Sequence, residues 1–180
     1  MKKLFVAGLL ALFSLPAAAQ LDSSALYIGG SLGRSHFTNI CDISVTPGCK
    51  DRDTQWSMFG ALQFTRYVGL EAGYRDFGHA DVNGTSYKAN ALEADLVGEL
   101  PLRGGLGIVA RVGLYNGKIK GGGAEEKKYN GTFGWGVQYD FSAQTALRLE
   151  YQRYVKAGGT DLGFRTHLDT VSLGAVFRFR

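Results

Sequence analysis

Beyond Leu15 this chain has no long apolar run. Charges or glycines interrupt every later hydrophobic stretch, which excludes membrane-spanning helices of about 20 apolar residues. Proline is scarce at three residues, whereas glycine reaches 26 of 180, and a helical domain of this size rarely carries so much glycine. With two cysteines and three histidines there is little material for metal chemistry. Cys41 and Cys49 have no histidine nearby at ligand spacing, so no metal is expected. The glycines match neither a phosphate loop nor a dinucleotide fingerprint, and no cofactor is expected. The formal charge of +4 falls to about +2 once Lys2 and Lys3 are set aside. The pI of 9.1 is therefore no argument for a nucleic-acid partner.

Lys2 and Lys3 form the positive start of an N-terminal segment. They precede an apolar run from Leu4 to Leu15, the break at Pro16 and the small residues Ala17, Ala18 and Ala19. This order reads as a cleavable secretory leader over 1–19, leaving a mature domain over 20–180. An exported chain passes through an oxidising space, so Cys41 and Cys49 are expected to pair in a disulfide.

The mature part is rich in alternation. Leu26, Ile28, Gly30 and Leu32 face one way and Tyr27, Gly29, Ser31 and Gly33 the other. The pattern recurs from Thr54 to Phe64, from Val68 to Arg75, and from Leu92 to Leu100. It returns from Ile108 to Tyr115, from Thr132 to Tyr139, from Leu147 to Gln152, and from Val171 to Phe179. One face of each segment is apolar and the other is small, polar or charged. The segments between them alternate in length: long over 37–53, short over 65–67, long over 78–85, short over 101–105, long over 116–130, short over 142–145, and long over 155–166. Aromatics such as Phe64, Tyr67, Phe141, Phe177 and Phe179 fall near strand ends, where an interfacial girdle belongs. The pattern predicts an all-β, eight-stranded antiparallel up-and-down transmembrane barrel in a Gram-negative outer membrane. Its long loops face outward and its short turns face the periplasm.

Three stretches carry a family resemblance: Phe59-Gly60-Ala61-Leu62-Gln63-Phe64 with Tyr67 to Tyr74, Gly136-Val137-Gln138-Tyr139 with Ala146 to Tyr151, and Ser172 to Phe179. They resemble the transmembrane barrel of the outer membrane protein A-like family over essentially the whole mature chain. In the last stretch Ser172, Gly174, Phe177 and Phe179 resemble the terminal signal read by the barrel-insertion machinery, although Arg180 follows the final aromatic. The resemblance implies a barrel serving as anchor, adhesin, narrow pore or enzyme, since one barrel hosts all of these. The chain ends at the barrel, so the peptidoglycan-binding domain of some relatives is not expected.

Inward charges are the first candidates for chemistry. Glu71 and Arg148 lie on opposed strands at similar heights, and in an eight-stranded barrel an arginine can reach across. In the resembling family, charges at matching positions form a lumenal pair that closes or opens a narrow path. Here the second acid of that pattern is Gln138, and the inward row of the fourth strand has no lysine. Glu71, Arg148, Arg111, Glu93, Asp95 and Glu150 are instead expected to form a self-neutralising network that plugs the lumen, in preference to a conducting pore. Glu93 and Asp95 share a face, with Arg111 as their counter-ion rather than acid/base partners. His36, His79 and His167 have no serine two residues away, which argues against a lipid-modifying enzyme. Arg34, Lys127 and Arg153 fall on the outward row near the loop side and suit lipopolysaccharide phosphates, or are merely solvated rim charges. The expected partners are outer-membrane lipids and lipopolysaccharide, the insertion machinery, and an extracellular host or surface ligand held by the loops. The expected state is a monomer.

Overall fold

The computed structural model describes residues 25–38, 41, 49–82, 84–159 and 164–179; the leader, Asn83 and Arg180 lie outside them. Eight antiparallel strands close into one barrel in sequence order. They are β1 (Ala25–Thr38), β2 (Arg52–Gln63), β3 (Val68–Val82), β4 (Thr85–Pro101), β5 (Leu106–Gly121), β6 (Ala124–Asp140), β7 (Thr145–Gly159) and β8 (Phe164–Phe179). Closure removes every sheet edge, as lipid demands of a strand protein.

The barrel's stagger is set by its ladders. Paired residues lead from Leu26 through Leu62, Leu70, Leu96, Val112, Phe133, Arg153 and Asp169 back to His36, ten positions further up the starting strand. Such a shear in an eight-stranded barrel tilts the strands by about 40° and leaves an interior that side chains fill. The belt facing lipid includes Leu26, Ile28, Leu32, Met58, Leu92, Val112, Leu114, Trp135 and Leu173, all exposed. Along the same strands every second residue points into the lumen, and most of these are buried.

The loop end differs from the expected alternation of long loops and short turns. The segments over 78–85 and 116–130 are not long loops. Strands β3 and β4 continue to a turn between Val82 and Thr85, and β5 and β6 continue to a two-residue turn at Gly122–Gly123. Both of those glycines have positive φ, 59° and 80°, which suits the tight hairpin turns that match strand twist. The segments over 37–53 and 155–166 are also shortened, because β1, β7 and β8 run into them. The apolar alternation stops where the strands leave the lipid, but the ladders do not.

Two bulges shape the loop half. The β3–β4 register shifts between Asp76 and Gly78, and the β7–β8 register between Tyr154 and Ala157. A one-residue shift exchanges the two faces of a strand. Beyond the bulges Ala80, Val82 and Ala157 therefore turn inward and join Phe37, Phe77, Tyr115, Ile119, Tyr154 and Leu168 in an apolar cluster. Cys41 and Cys49, joined in a disulfide, pack against this cluster from the loop side.

Candidate functional site in the lumen and at the rim

Below the apolar cluster the lumen is ionic. Arg111 on β5 reaches three acids: Glu71 at 2.6 Å, Glu150 at 2.9 Å and Asp95 at 3.2 Å. Arg148 on β7 pairs with Glu71 from the far side and donates through Nε to Gln138 at 2.9 Å. Arg75 on β3 takes Glu93 at 3.2 Å and also donates to Gln55 and Gln152, both at 3.0 Å. The hydroxyls of Tyr27 and Tyr154 donate to Glu71 and Glu93 respectively. All of these groups are buried. Isolated charges there would be prohibitively costly, and mutual pairing plus hydrogen bonds is what makes them tolerable.

All six lumenal residues singled out from the sequence thus fall in one network. Glu93 differs in its partner: it faces Arg75, not Arg111. Sequence reasoning left Arg75 out of the network, and it missed Gln55, Gln152, Tyr27 and Tyr154. Only the rule that each inward charge needs a counter-charge points to Arg75. Four carboxylates face three guanidiniums, so amides and phenols fill the remaining contacts. Nearer the turn end, Arg178 pairs with Asp140 at 3.0 Å and Glu99 at 3.5 Å across the mouth.

Between the ionic layer and the loops stand Phe77, Tyr154 and Tyr115, packed edge to face with centroids 4.8 and 5.1 Å apart. Arg75 lies against the Tyr154 ring at 5.8 Å, which joins the two layers through a cation–π contact.

The three outward cations do not share one place. Arg34 and Arg153 sit at the upper edge of the belt, just past Leu32 and Tyr151. Arg153 grips Asp169 with two bonds of 2.6 and 2.8 Å, and Tyr151 donates to the same carboxylate at 2.9 Å. Arg34 is exposed and makes no ion pair among the described residues. Lys127 is six residues past Phe133, the partner of Arg153, or about 20 Å further along the strand. It sits 3.5 Å from Glu125, which also pairs with Lys118 at 2.8 Å and Lys120 at 3.1 Å. Hydrogen bonds from Lys118 and Lys120 hold the Glu125 carboxyl down at about 2.

Among the described residues no histidine is hydrogen-bonded to a serine. His36 pairs with Asp51 at 3.1 Å and His79 with Asp53 at 3.3 Å, while Ser35 donates to the Phe77 carbonyl at 2.6 Å. His167 Nδ1 accepts the Lys156 amide at 3.3 Å. No group of three metal-ligating side chains occurs among the described residues. Of the terminal signal, Ser172 is buried in the lumen, while Phe177 and Phe179 stack edge to face on the outside at 5.2 Å; Gly174 lets the β1 backbone approach, since a Cβ there would lie 2.9 Å from the Gly30 carbonyl.

A closed eight-stranded antiparallel barrel with an apolar belt, an aromatic girdle and a polar packed interior is a β-barrel protein of the Gram-negative outer membrane. The chain belongs to the OmpA-like transmembrane domain family, whose model matches residues 21–180. Similar proteins include Outer membrane protein A of Shigella flexneri, 29% identical over 195 residues covering 99% of this chain and 56% of that one. Outer membrane protein A of Escherichia coli O157:H7 is 28% identical over 99% of this chain and 55% of its own length. The chain therefore spans about half the length of the curated relatives it matches. Among solved structures, Neisserial surface protein A superposes with a TM-score of 0.59 at 13% identity, over 87% of this chain and all of that one. The N-terminal barrel of Pseudomonas aeruginosa OprF gives 0.58 at 14% identity, over 86% and 97%.

Proposed function

We propose that this protein is a sealed, non-enzymatic outer-membrane barrel that supports envelope integrity and offers its loop end for surface interaction such as adhesion or host-factor binding. The observation that carries the reading is the double filling of the lumen. An ionic layer centred on Arg111 lies beneath an aromatic layer of Phe77, Tyr115 and Tyr154, with disulfide-linked Cys41 and Cys49 packed on top. A barrel so packed leaves its outer surface and its loop end as working parts. His36 and His79 are tied to Asp51 and Asp53 at the loop end, which supports this reading over lipid modification. Monomeric insertion through a signal at Ser172, Gly174, Phe177 and Phe179, and contact of Arg34, Arg153 and Lys127 with outer-leaflet lipopolysaccharide, belong to the same proposal.

The test compares a deletion strain complemented with the wild type and with a form whose four loop-end connections are replaced by short neutral turns. Loss of surface binding in the loop-replaced form, with envelope resistance to detergent kept, is the expected result. Full binding by that form would remove the surface-interaction half. Unchanged detergent resistance in the deletion strain would remove the envelope half. Altered lipid A mass on overexpression would replace the reading with an enzymatic one.

A further inference from the structure

Above the belt, the outward face of β4, β5 and β6 carries four lysines: Lys88, Lys118, Lys120 and Lys127. They are neighbours on the ladders in an unusual way. Lys88 is the direct cross-strand partner of Lys120, and Lys118 of Lys127. Like charges directly opposite each other destabilise a strand pair, yet this hairpin wall does it twice. Two acids face them. Glu125 is shared by Lys118, Lys120 and Lys127, and Asp76 takes Lys88 at 3.2 Å. The face is left with two positive charges in excess, and its lysine side chains are 29–63% exposed.

The height of this face is as informative as its charge. Lys88 lies four residues beyond Leu92, and Lys118 four beyond Leu114, the last outward leucines of β4 and β5. Four residues are about 13 Å of strand, or about 10 Å of height at this tilt. Lys120 and Lys127 lie two residues further out, so the four lysines stand about 10–15 Å above the last outward apolar side chains. They point sideways, on the same row as the lipid-facing side chains, and not up into the medium. An anion that meets them there belongs to a neighbouring lipid.

We propose that Lys88, Lys118, Lys120 and Lys127 form a binding face for the sugar-linked phosphates of lipopolysaccharide in the outer leaflet, with Glu125 as a carboxylate that competes with the bound phosphate. This rests on the outer-membrane reading above and adds to it a specific lipid-binding face, separate from Arg34 and Arg153 at the belt's edge. Phosphate is favoured over a carboxylate ligand because its several oxygens, at higher charge, accept from two or three ammonium groups at once. Binding then relieves the repulsion that each lysine pair imposes on the hairpin.

The experiment refolds the protein into phosphatidylcholine vesicles doped with rough lipopolysaccharide, or with the same lipopolysaccharide stripped of phosphate, and counts lipopolysaccharide molecules retained on the extracted barrel by native mass spectrometry. Wild type is expected to retain the phosphorylated form preferentially and to lose it as salt rises from about 0.05 M to about 0.5 M. Lys88→Gln/Lys120→Gln and Lys118→Gln/Lys127→Gln are each expected to lower retention by about five-fold, and Glu125→Gln to raise it. Wild-type retention in both double variants, or equal retention of dephosphorylated lipopolysaccharide, overturns the proposal. Glutamine in these exposed positions leaves the core untouched, and the boiled-versus-unboiled gel shift confirms that each variant is a closed barrel. Conductance through the lumen is independent of these lysines, so failure of the lysine face and failure of the sealed-barrel reading are separate results.

Discussion

The Nη2 atom of Arg111 lies 2.6 Å from Oε2 of Glu71, with each side chain only 2% exposed, and the same guanidinium also serves Asp95 and Glu150. One arginine therefore holds three carboxylates from three other strands. Removing one side of a buried pair leaves the other charge uncompensated, at a cost of about 3–5 kcal/mol. Arg111→Gln is expected to fall in that range by urea unfolding in lipid vesicles. Arg148→Gln should cost less, because Glu71 keeps Arg111. Asp95→Asn is expected to be nearly neutral: there are more acids than arginines in the layer, and Asp95 Oδ1 has no hydrogen-bond partner. An Arg148→Gln loss larger than that of Arg111→Gln would contradict this ranking.

The strands, their inward and outward rows and the six network acids and arginines were legible because lipid enforces a strict alternation wherever it touches the barrel. Legibility ends where the lipid ends. Lys118, Lys120 and Lys127 read as a charged loop, since a strand wall in water needs no apolar face; only the Gly122–Gly123 turn marks the hairpin. Ala80, Val82 and Ala157 were equally hidden, because the bulges at Phe77 and after Tyr154 exchange faces partway along β3 and β7. The partner of Glu93 was missed for a simpler reason. Arg75 and Arg111 are both inward, and choosing between them requires the register.

Two glycines separate the inside from the outside. A Cβ at Gly113, on the lumenal row, would lie 2.2 Å from the Ala94 carbonyl and 2.1 Å from Asp95 Oδ1, whereas one at Gly60, facing lipid, meets nothing within 4 Å. Backbone cannot give way as a side chain can. Gly113→Ala is expected to destabilise by about 1–3 kcal/mol, and Gly60→Ala to be neutral or to stabilise by up to about 1 kcal/mol. Parallel urea titrations of the two variants check this, and equal midpoints would refute it.

Asp53 ties β2 to β3 where their ladder has stopped. Its Oδ2 accepts the His79 amide at 2.7 Å, and its Oδ1 accepts from Lys50 at 3.3 Å. Partial burial pushes this carboxyl up, but hydrogen bonds from the His79 and Thr54 amides outweigh it and hold the group at about 2. A folded value below the unfolded one of about 3.9 means a stabilising contribution that is complete above about pH 4 and disappears as pH falls toward 2. Carboxyl carbon shifts should titrate with a midpoint near 2 in wild type, and Asp53→Asn should remove that part of the acid sensitivity. A midpoint near 4 would show the tie to be absent.

The two layers of filling predict an order of events in opening the lumen. Arg148→Ala removes one ionic contact, but Phe77 and Tyr154 are both essentially fully buried above it, and their edge-to-face contact still closes the path. Phe77→Ala/Tyr154→Ala removes the aromatic layer and leaves Arg111 bound to its acids. Each set alone is expected to give a silent barrel in planar bilayers, as is the wild type. Each aromatic truncation costs about 3–5 kcal/mol, so recordings are to be made only on protein that still shows the closed-barrel gel shift. In the combined triple variant the aromatic layer is gone and Glu71 has lost one of its two arginines, and single-channel steps are expected there. Steps in Arg148→Ala alone would mean that the ionic layer is the whole barrier and that the aromatic layer does not seal; steps in the wild type would mean that neither layer seals.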